Sequence, residues 1–295
     1  MSAFAESAAA WEPLTPRGVA AFARTRLSRL LLVQFVIASL AASALVWFLS
    51  NSCFTVVRAA IRNLPAAGVI RSGWLEWPDK QPQLLAEGRF LAFSVDPGHS
   101  GQLRSLADVQ VEFGRENLRV TSLFGYAEWP YPADYTIAFN RIDLEPLWGA
   151  WEPEWLAIAL LALVGALLLT WALLATLYFL PAWLVGHLAN RDLRRRDSWK
   201  LAGAALLPGA LLFTVAIVLF NWGVLDLIQL CFLFAAHLAL GWVYLFLSPL
   251  FLPRRNAAPP RDNPFSSSPT GRPGQGNDSA AARDNPFAAR PNPPE

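Results

Sequence analysis

The chain has 295 residues, of which 54% belong to the hydrophobic set and only 16% are charged, and its mean hydropathy is +0.33. This composition excludes an ordinary soluble protein and is typical of a multi-pass membrane protein with a modest water-soluble part. The net charge of +2 gives no sign of a nucleic-acid partner, and two cysteines, Cys53 and Cys231, are too few for a disulfide framework.

The first part of the chain predicts one uncleaved membrane helix. Residues 1–29 are mixed in character and carry several arginines, which is typical of a cytoplasmic segment. Residues 30–49 are uncharged and long enough to span a bilayer, with Trp47 as an interfacial anchor, and the run exceeds the apolar core of a cleaved signal peptide. The sequence pattern over 56–64 predicts that this helix continues until Pro65 stops it.

Residues 50–152 predict a small, mainly β, extracytoplasmic domain. Acidic residues outnumber basic ones here, and stretches rich in β-branched, leucine and aromatic residues alternate with turn signals such as Asp96-Pro97-Gly98. We expect the strands to be mostly antiparallel. Because a domain of this size has a thin core, we also expect it to dock on the membrane helices or on a partner protein.

Residues 153–188 predict the second membrane helix with an interfacial extension. No charged residue lies between 155 and 188, and a helix over this run measures roughly 51 Å against a hydrocarbon core of about 30 Å. We expect the span to bend or end at Pro181. Trp148, Trp151 and Trp155 recur at helical spacing, which predicts interfacial anchors of an aromatic belt; a ligand-stacking platform is the alternative.

The remaining segments complete a four-helix topology. Residues 189–200 form a short, arginine-rich loop, which the positive-inside rule assigns to the cytoplasm. Residues 201–220 and 224–252 predict the third and fourth membrane helices, and Arg254 and Arg255 mark a second cytoplasmic exit. Both termini then lie in the cytoplasm, and the predicted location is the inner membrane of a bacterium.

The fourth helix carries a candidate polar stripe. Asp226, Gln229 and His237 fall at about 0°, 300° and 20° around a helix at about 100° per residue. Polar groups at membrane depth usually face the bundle interior and find partners there. The stripe is either a proton or solute path or a set of structural hydrogen bonds with Asp226 near the outer surface. The candidate partners on other helices are Gln34, Thr170 and Thr176.

Residues 253–295 are rich in proline and asparagine and lack apolar periodicity, which predicts a disordered cytoplasmic tail. A pentapeptide occurs twice in the tail, at 261–265 and 283–287, and Asn-Pro-Phe peptides resemble the ligands of eukaryotic EH domains. The duplication is either low-complexity sequence without a reader or a two-copy docking peptide that gains avidity. The candidate docking residues are Asn263, Pro264, Phe265, Asn285, Pro286 and Phe287.

No catalytic signature stands out. Motifs for nucleotide phosphate loops, dinucleotide folds, HExxH zinc sites and CxxC pairs are absent from the sequence, so we predict no catalytic residue, no cofactor and no metal ligand. Asp96, His99 and Ser100 lie within one turn, but an acid, a histidine and a serine this close along a turn do not make a catalytic triad. We interpret this turn as a solvated loop.

The order of parts resembles a bacterial, Yip-related multi-pass membrane family of unknown function. The resemblance is carried by loose marks over residues 50–215, and the chain departs from the family in its short bundle and proline-rich tail. It implies an integral cytoplasmic-membrane protein without established catalysis and transfers no site residue. The matching marks are Asn63-Leu64-Pro65, Gly73-Trp74-Leu75, Pro82, Asp96-Pro97, Ser198-Trp199-Lys200 and Pro208.

The sequence therefore predicts a four-helix membrane α-helical protein with a small mainly-β extracytoplasmic domain and a disordered C-terminal tail. The expected role is non-enzymatic: sensing, scaffolding or assisting an envelope partner complex through the external domain and the tail. The alternative is a small transporter or transport accessory that uses Asp226 and His237, and a membrane-embedded enzyme comes third. The expected partners are the lipid bilayer and either a protein or further copies of this chain.

Overall fold

The computed structural model describes residues 12–79 and 81–255, and within them four helices are long and apolar enough to cross a membrane. These four long helices are Leu27–Arg62, Arg141–Leu188, Arg195–Asn221 and Leu227–Phe251. A separate β-sheet region accompanies these helices. Both coarse features of the predicted fold are thus confirmed. The helices are α1 (Pro16–Phe22), α2 (Leu27–Phe48), α3 (Thr55–Arg62), α4 (Arg141–Leu188), α5 (Arg195–Ala205), α6 (Leu207–Asn221) and α7 (Leu227–Leu247).

The first long helix continues beyond its apolar part. A π-helical segment, Leu49–Phe54, joins α2 to α3, so that the helix runs for 36 residues without a break. It ends where Asn63 closes the last turn by donating its backbone N–H to the carbonyl of Ala59, and Pro65 follows. The predicted prolongation of the first helix up to Pro65 is confirmed.

Helix α4 is longer than the sequence pattern suggests. It begins at Arg141 rather than at residue 153, because the side chain of Asn140 accepts the backbone N–H of Asp143 at 3.0 Å and caps an earlier start. It runs for 48 residues to Leu188, so Pro181 does not end the helix, whereas the alternative expectation, that Pro181 bends it, stays a prediction. Proline is tolerated inside membrane helices because neighbouring helices support the interrupted backbone.

The β region consists of two sheets. A three-stranded sheet has the order β2-β1-β8, and a five-stranded sheet has the order β3-β4-β5-β6-β7. Among the described strands every pairing is antiparallel except β4 with β5, which confirms the mostly antiparallel prediction. The strands are β1 (Val69–Arg71), β2 (Trp74–Glu76), β3 (Gln83–Glu87), β4 (Leu91–Val95), β5 (Val109–Phe113), β6 (Asn117–Ser122), β7 (Gly125–Pro130) and β8 (Thr136–Ala138).

The core of the β region includes residues of the long helices. Ala60 of α3 and Leu64 just after it are buried together with strand residues, and Leu144 of α4 packs against the same cluster. The β region has few large buried side chains of its own, so these helical residues complete its core. The predicted docking of this domain is confirmed for the long apolar helices, against which its core packs.

The helical bundle has its own core, in which α2, α4, α5 and α7 meet around small residues. Leu30, Trp171, Leu201 and Leu245 are buried there beside several alanines. The short helix α1 packs onto the end of this bundle opposite the β region, and its Phe22 has no solvent exposure. The N-terminal segment is thus part of the fold from Pro16 onward.

Candidate functional site

The strongest candidate site is the place where the β region meets the bundle, which we call the outer junction and define by Phe48, Arg89, Phe90, Phe220 and Leu225. The ring of Phe90, just before β4, lies 5.0 Å from that of Phe48 on α2 and 6.2 Å from that of Phe220 at the end of α6. Arg89 donates a hydrogen bond of 2.6 Å to the carbonyl of Leu225. Aromatic contacts and a charge-assisted hydrogen bond therefore fix the sheet to the α6–α7 turn.

A glycine makes this contact possible. Gly223 has φ +78°, in the left-handed region that favours glycine, and a Cβ there would lie 2.7 Å from Nη1 of Arg89. The sequence Asn221-Trp222-Gly223 therefore does more than turn the chain. It leaves room for the arginine that connects the sheet with the bundle.

A second connection is the pair of antiparallel helix ends formed by α3 and residues 141–155 of α4, which we call the stalk. Arg58 of α3 forms an ion pair with Glu152 of α4, and Arg62 reaches Glu145 at 3.5 Å. The ring of Phe54 packs edge-on against Trp148 at 5.0 Å. Both helices of the stalk continue into the bundle without a break, so the β region and the bundle share two continuous helices.

The three candidate tryptophan anchors have different surroundings. Trp148 is half-buried in the stalk, whereas Trp151 and Trp155 are exposed, with ring centroids 6.4 Å apart. Trp148 thus has a packing role that the spacing alone did not indicate. The assignment of Trp151 and Trp155 to an aromatic belt stays a prediction, as does the ligand-stacking platform.

A cleft of about 900 Å³ opens beside the outer junction, between the loop that connects β4 to β5 and the first turn of α7. It is lined by charged side chains of both signs, including Arg104, Asp108, Arg119 and Asp226. Burial raises the pKa of the Asp108 carboxyl, the nearby Arg89 opposes this rise, and the negative charge of Asp226 adds to it. The cleft therefore has a mixed electrostatic character rather than a single charge sign.

A polar network forms one wall of the cleft. Glu112 on β5 is only 6% exposed; its Oε1 meets Nδ1 of His99 and lies 3.8 Å from Arg119 on β6. The other ring nitrogen of His99 meets the side-chain oxygen of Asn117, and Arg119 also forms an ion pair of 2.7 Å with Glu128 on β7. The network joins the β4–β5 loop to three neighbouring strands.

This geometry excludes a catalytic triad in the Asp96–Ser100 turn. The hydroxyl of Ser100 donates to Asp96 at 2.8 Å, while the imidazole of His99 faces Glu112 and Asn117. The interpretation of this turn as a solvated loop holds for Gly98 and Ser100, which are exposed, but not for Asp96, which is buried and accepts three hydrogen bonds from the turn. The sequence signal that was missed is the alternation of polar residues on β5 and β6, at Gln110, Glu112, Arg119 and Thr121.

The candidate polar stripe divides into two separate environments. Asp226 caps α7 by accepting the backbone N–H of Gln229 at 2.7 Å, and the Gln229 side chain accepts the backbone N–H of Asp226 at 3.0 Å. This reciprocal capping box satisfies both residues at the helix terminus. They meet none of the proposed partners Gln34, Thr170 or Thr176.

His237 lies deeper in the bundle and has apolar neighbours. Its ring stacks on Phe213 with centroids 5.1 Å apart, and its Nδ1 meets the carbonyl of Phe234. It lines a mostly apolar cavity of about 180 Å³ together with residues such as Trp171. Two of the proposed partners are engaged elsewhere, since Gln34 donates to the Gly203 carbonyl and Thr176 accepts from the Trp199 indole.

The end of the bundle opposite the β region is basic, and we call it the basic end. Arg24, after α1, forms an ion pair of 3.3 Å with Asp192 in the α4–α5 loop. Lys200 of α5 donates to the Thr25 carbonyl at 2.9 Å, and Arg191 donates to the Leu252 carbonyl at 2.7 Å. The N-terminal segment, the arginine-rich loop and the end of the fourth long helix therefore meet at one place.

Two further predictions concern other parts of the chain. The tail residues Asn263, Pro264, Phe265, Asn285, Pro286 and Phe287 lie outside the described residues. Within residues 12–79 and 81–255, no group of three or more His, Cys, Asp or Glu side chains is close enough to hold a metal ion.

Comparisons of the chain with family models, with curated proteins and with solved structures find no match.

Proposed function

We propose that this chain is an integral protein of a bacterial cytoplasmic membrane, with both termini in the cytoplasm and the β region outside. The proposal is supported by the positions of the charges. Arg24, Arg191 and Lys200 gather at the basic end, while acidic residues outnumber basic ones in the β region at the other end. Positive charge near the ends of membrane helices favours the cytoplasmic side.

Its role is non-enzymatic: the external β region receives an envelope partner, and the long helices carry the effect to the cytoplasmic face. The observation that carries this proposal is the stalk. Because α3 and α4 contribute to the core of the β region and continue into the bundle, a displacement of the sheet moves the ends of two membrane helices. Coupling between distant sites needs such a continuous, packed element.

The transport alternative has weaker support. Asp226 and Gln229 satisfy each other in a capping box, and His237 faces a small apolar cavity, so the three residues do not line one polar path. A proton or solute path requires polar groups or water in sequence across the bundle.

The proposed orientation is tested by labelling with a membrane-impermeant maleimide in spheroplasts. In a Cys53→Ser, Cys231→Ser background, we expect Asp134→Cys in an exposed turn of the β region to react from outside. Arg194→Cys in the arginine-rich loop reacts only after the membrane is permeabilised. Reaction of the loop cysteine from outside, with protection of Asp134→Cys, reverses the orientation and refutes the proposal.

The proposed coupling is tested with nanobodies that bind the β region and stand in for a partner. In nanodiscs, we expect binding to change hydrogen exchange at the basic end, around residues 190–200. Insertion of a Gly-Ser-Gly-Ser segment after Gly149 interrupts the α4 part of the stalk and abolishes this change.

A matched control carries the same insertion after Asp134, in the turn between β7 and β8, where the helices stay continuous. This variant retains the coupled change in exchange. The coupling proposal fails if a panel of nanobodies leaves the basic end of the unmodified chain unchanged, or if the insertion after Gly149 preserves the response.

A further inference from the structure

One end of the five-stranded sheet faces the bundle. Arg89, just before β4, bonds to the carbonyl of Leu225 in the α6–α7 turn, and Ser122 and Leu123 at the end of β6 line the same cleft as Asp226 at the start of α7. The starts of β4 and β5 and the turn between β6 and β7 therefore lie level with the first turn of α7.

The residues at this end of the sheet are unusually apolar for exposed turns. Leu123 and Phe124 form the two-residue turn between β6 and β7 and are 59% and 78% exposed, and Leu106 in the β4–β5 loop is 99% exposed. The positive φ at this turn lies on Gly125, at +119°, and neither Leu123 nor Phe124 has a positive φ, so the backbone accepts both side chains. Large apolar side chains that are exposed together at one place are typical of a surface that contacts a partner or a membrane.

The opposite end of the same strands provides a contrast. The turn between β5 and β6 contains Arg115 and Glu116, both exposed, as expected for a turn in water. Of the two turns that flank β6, only the one that faces the bundle is apolar, although Trp129 is also exposed near the opposite end of β7.

The occupant of this apolar end follows from its position. Strand β7 lies three strand spacings, or about 14 Å, to the side of β4, and Phe90 just before β4 contacts the bundle at the outer junction. The β6–β7 turn therefore lies to the side of that contact, where its Leu123 lines the same cleft as Ile228 in the first turn of α7. Ile228 and Phe232 are exposed on α7. If α7 spans a bilayer, these two side chains contact lipid, and the turn lies above the same lipid.

We infer that the Leu123–Phe124 turn and Leu106 insert into the headgroup region of the phospholipid leaflet that surrounds α7. This inference rests on the proposed membrane insertion of the bundle. Apolar and aromatic side chains favour the headgroup boundary. The β region then has a third attachment, to lipid, beside the stalk and the outer junction, and this attachment limits rotation of the sheet about the stalk.

Spin labels measure the depth directly. In the full chain with Cys53→Ser and Cys231→Ser, single cysteines at Phe124→Cys and Leu106→Cys carry a nitroxide in nanodiscs of palmitoyl-oleoyl phosphatidylcholine. Power saturation compares accessibility to oxygen, which concentrates in lipid, with accessibility to a water-soluble nickel chelate. Leu106 is almost fully exposed, so its replacement does not disturb packing even if a label at the turn does.

Two further labels serve as controls. Glu116→Cys lies at the opposite end of β6 and reports water, and Leu169→Cys lies on an exposed face in the middle of α4 and reports the hydrocarbon core. We expect the oxygen-to-nickel ratio at 124 and 106 to exceed that at 116 and to stay below that at 169.

Each result has a definite meaning. A water-like ratio at 124 and 106, with a hydrocarbon-like ratio at 169, overturns the lipid contact and leaves the membrane proposal intact. A water-like ratio at 169 refutes membrane insertion itself. Labels at 124 that are shielded from both reagents and show spin–spin broadening indicate that a second copy of this chain covers the turn, which also overturns the inference.

Discussion

We expect the buried carboxylate Glu112 to contribute more to the stability of the β region than the exposed carboxylate Glu128, although both lie within ion-pair distance of Arg119. The ion pair with Glu128 is the shorter one, at 2.7 Å against 3.8 Å for Glu112. The Glu112 side chain is 8% exposed and also meets His99, whereas that of Glu128 is 34% exposed. We therefore compare Glu112→Gln with the matched variant Glu128→Gln.

The expected magnitudes follow from burial. A hydrogen bond to a charged group contributes about 1.5–3 kcal/mol, and its loss at a buried site leaves donors unsatisfied. An exposed ion pair contributes only about 0.2–1 kcal/mol. We expect Glu112→Gln to lower the free energy of local unfolding by about 1–2 kcal/mol more than Glu128→Gln, which corresponds to roughly tenfold more frequent opening.

Hydrogen exchange of the β5 and β6 backbone amides in nanodiscs measures this local free energy. Exchange in β5 and in the β4–β5 loop accelerates roughly tenfold in Glu112→Gln relative to Glu128→Gln, by the same conversion of free energy. Equal acceleration in the two variants, or a larger effect of Glu128→Gln, refutes the reasoning that burial rather than contact distance determines the contribution.

Three other predictions concern the outer junction and α7. Folding raises the pKa of Asp108, so the folded state binds more protons than the unfolded state, and the free energy of unfolding falls as pH rises from about the ordinary value of 3.8. We expect Asp108→Asn to remove this fall in stability, which hydrogen exchange measured at several pH values detects. An unchanged pH profile in the variant refutes the assignment of the fall to Asp108. Gly223→Ala introduces backbone strain of about 1–3 kcal/mol and displaces the Arg89 side chain, so we expect a lower Tm in thermal unfolding in detergent. An unchanged Tm refutes the close approach of Arg89 to Gly223. Asp226→Ala removes the cap of α7 and lowers the free energy of unfolding by about 1 kcal/mol. His237→Gln leaves the flux of solutes across proteoliposome membranes unchanged, and a solute flux that depends on His237 instead supports the transport alternative.

Much of the architecture follows from the sequence because its signals are local. An uncharged run of sufficient length predicts a membrane-spanning helix whatever its neighbours are, and the four long apolar helices agree with this prediction. The stop at Pro65 and the mostly antiparallel strands are also local or short-range features. The resemblance to a Yip-related family and the docking role of the tail motifs stay predictions.

The candidate sites were less accessible to sequence reasoning because they depend on contacts between distant residues. A helical stripe of Asp226, Gln229 and His237 follows from angular position alone, but the start of α7 at Leu227 makes the first two a capping pair. Whether a polar residue lies inside a bundle or at its end depends on where the helix begins, and that boundary is only weakly specified by the sequence.

The sequence by itself determined the number of long apolar helices, the β character of the region between the first two, and the segregation of basic residues into a few loops, because these depend on composition and periodicity. Only the tertiary structure decided that α4 begins at Arg141 and continues past Pro181, that β4 and β5 pair in parallel, and that His99, Glu112 and Arg119 meet. The physical reason is that each of these features is stabilised by packing or hydrogen bonds between segments that are separate in the chain. The hydrogen bond from Arg89 to the Leu225 carbonyl at the outer junction is another such contact, since 136 residues separate the two in the chain.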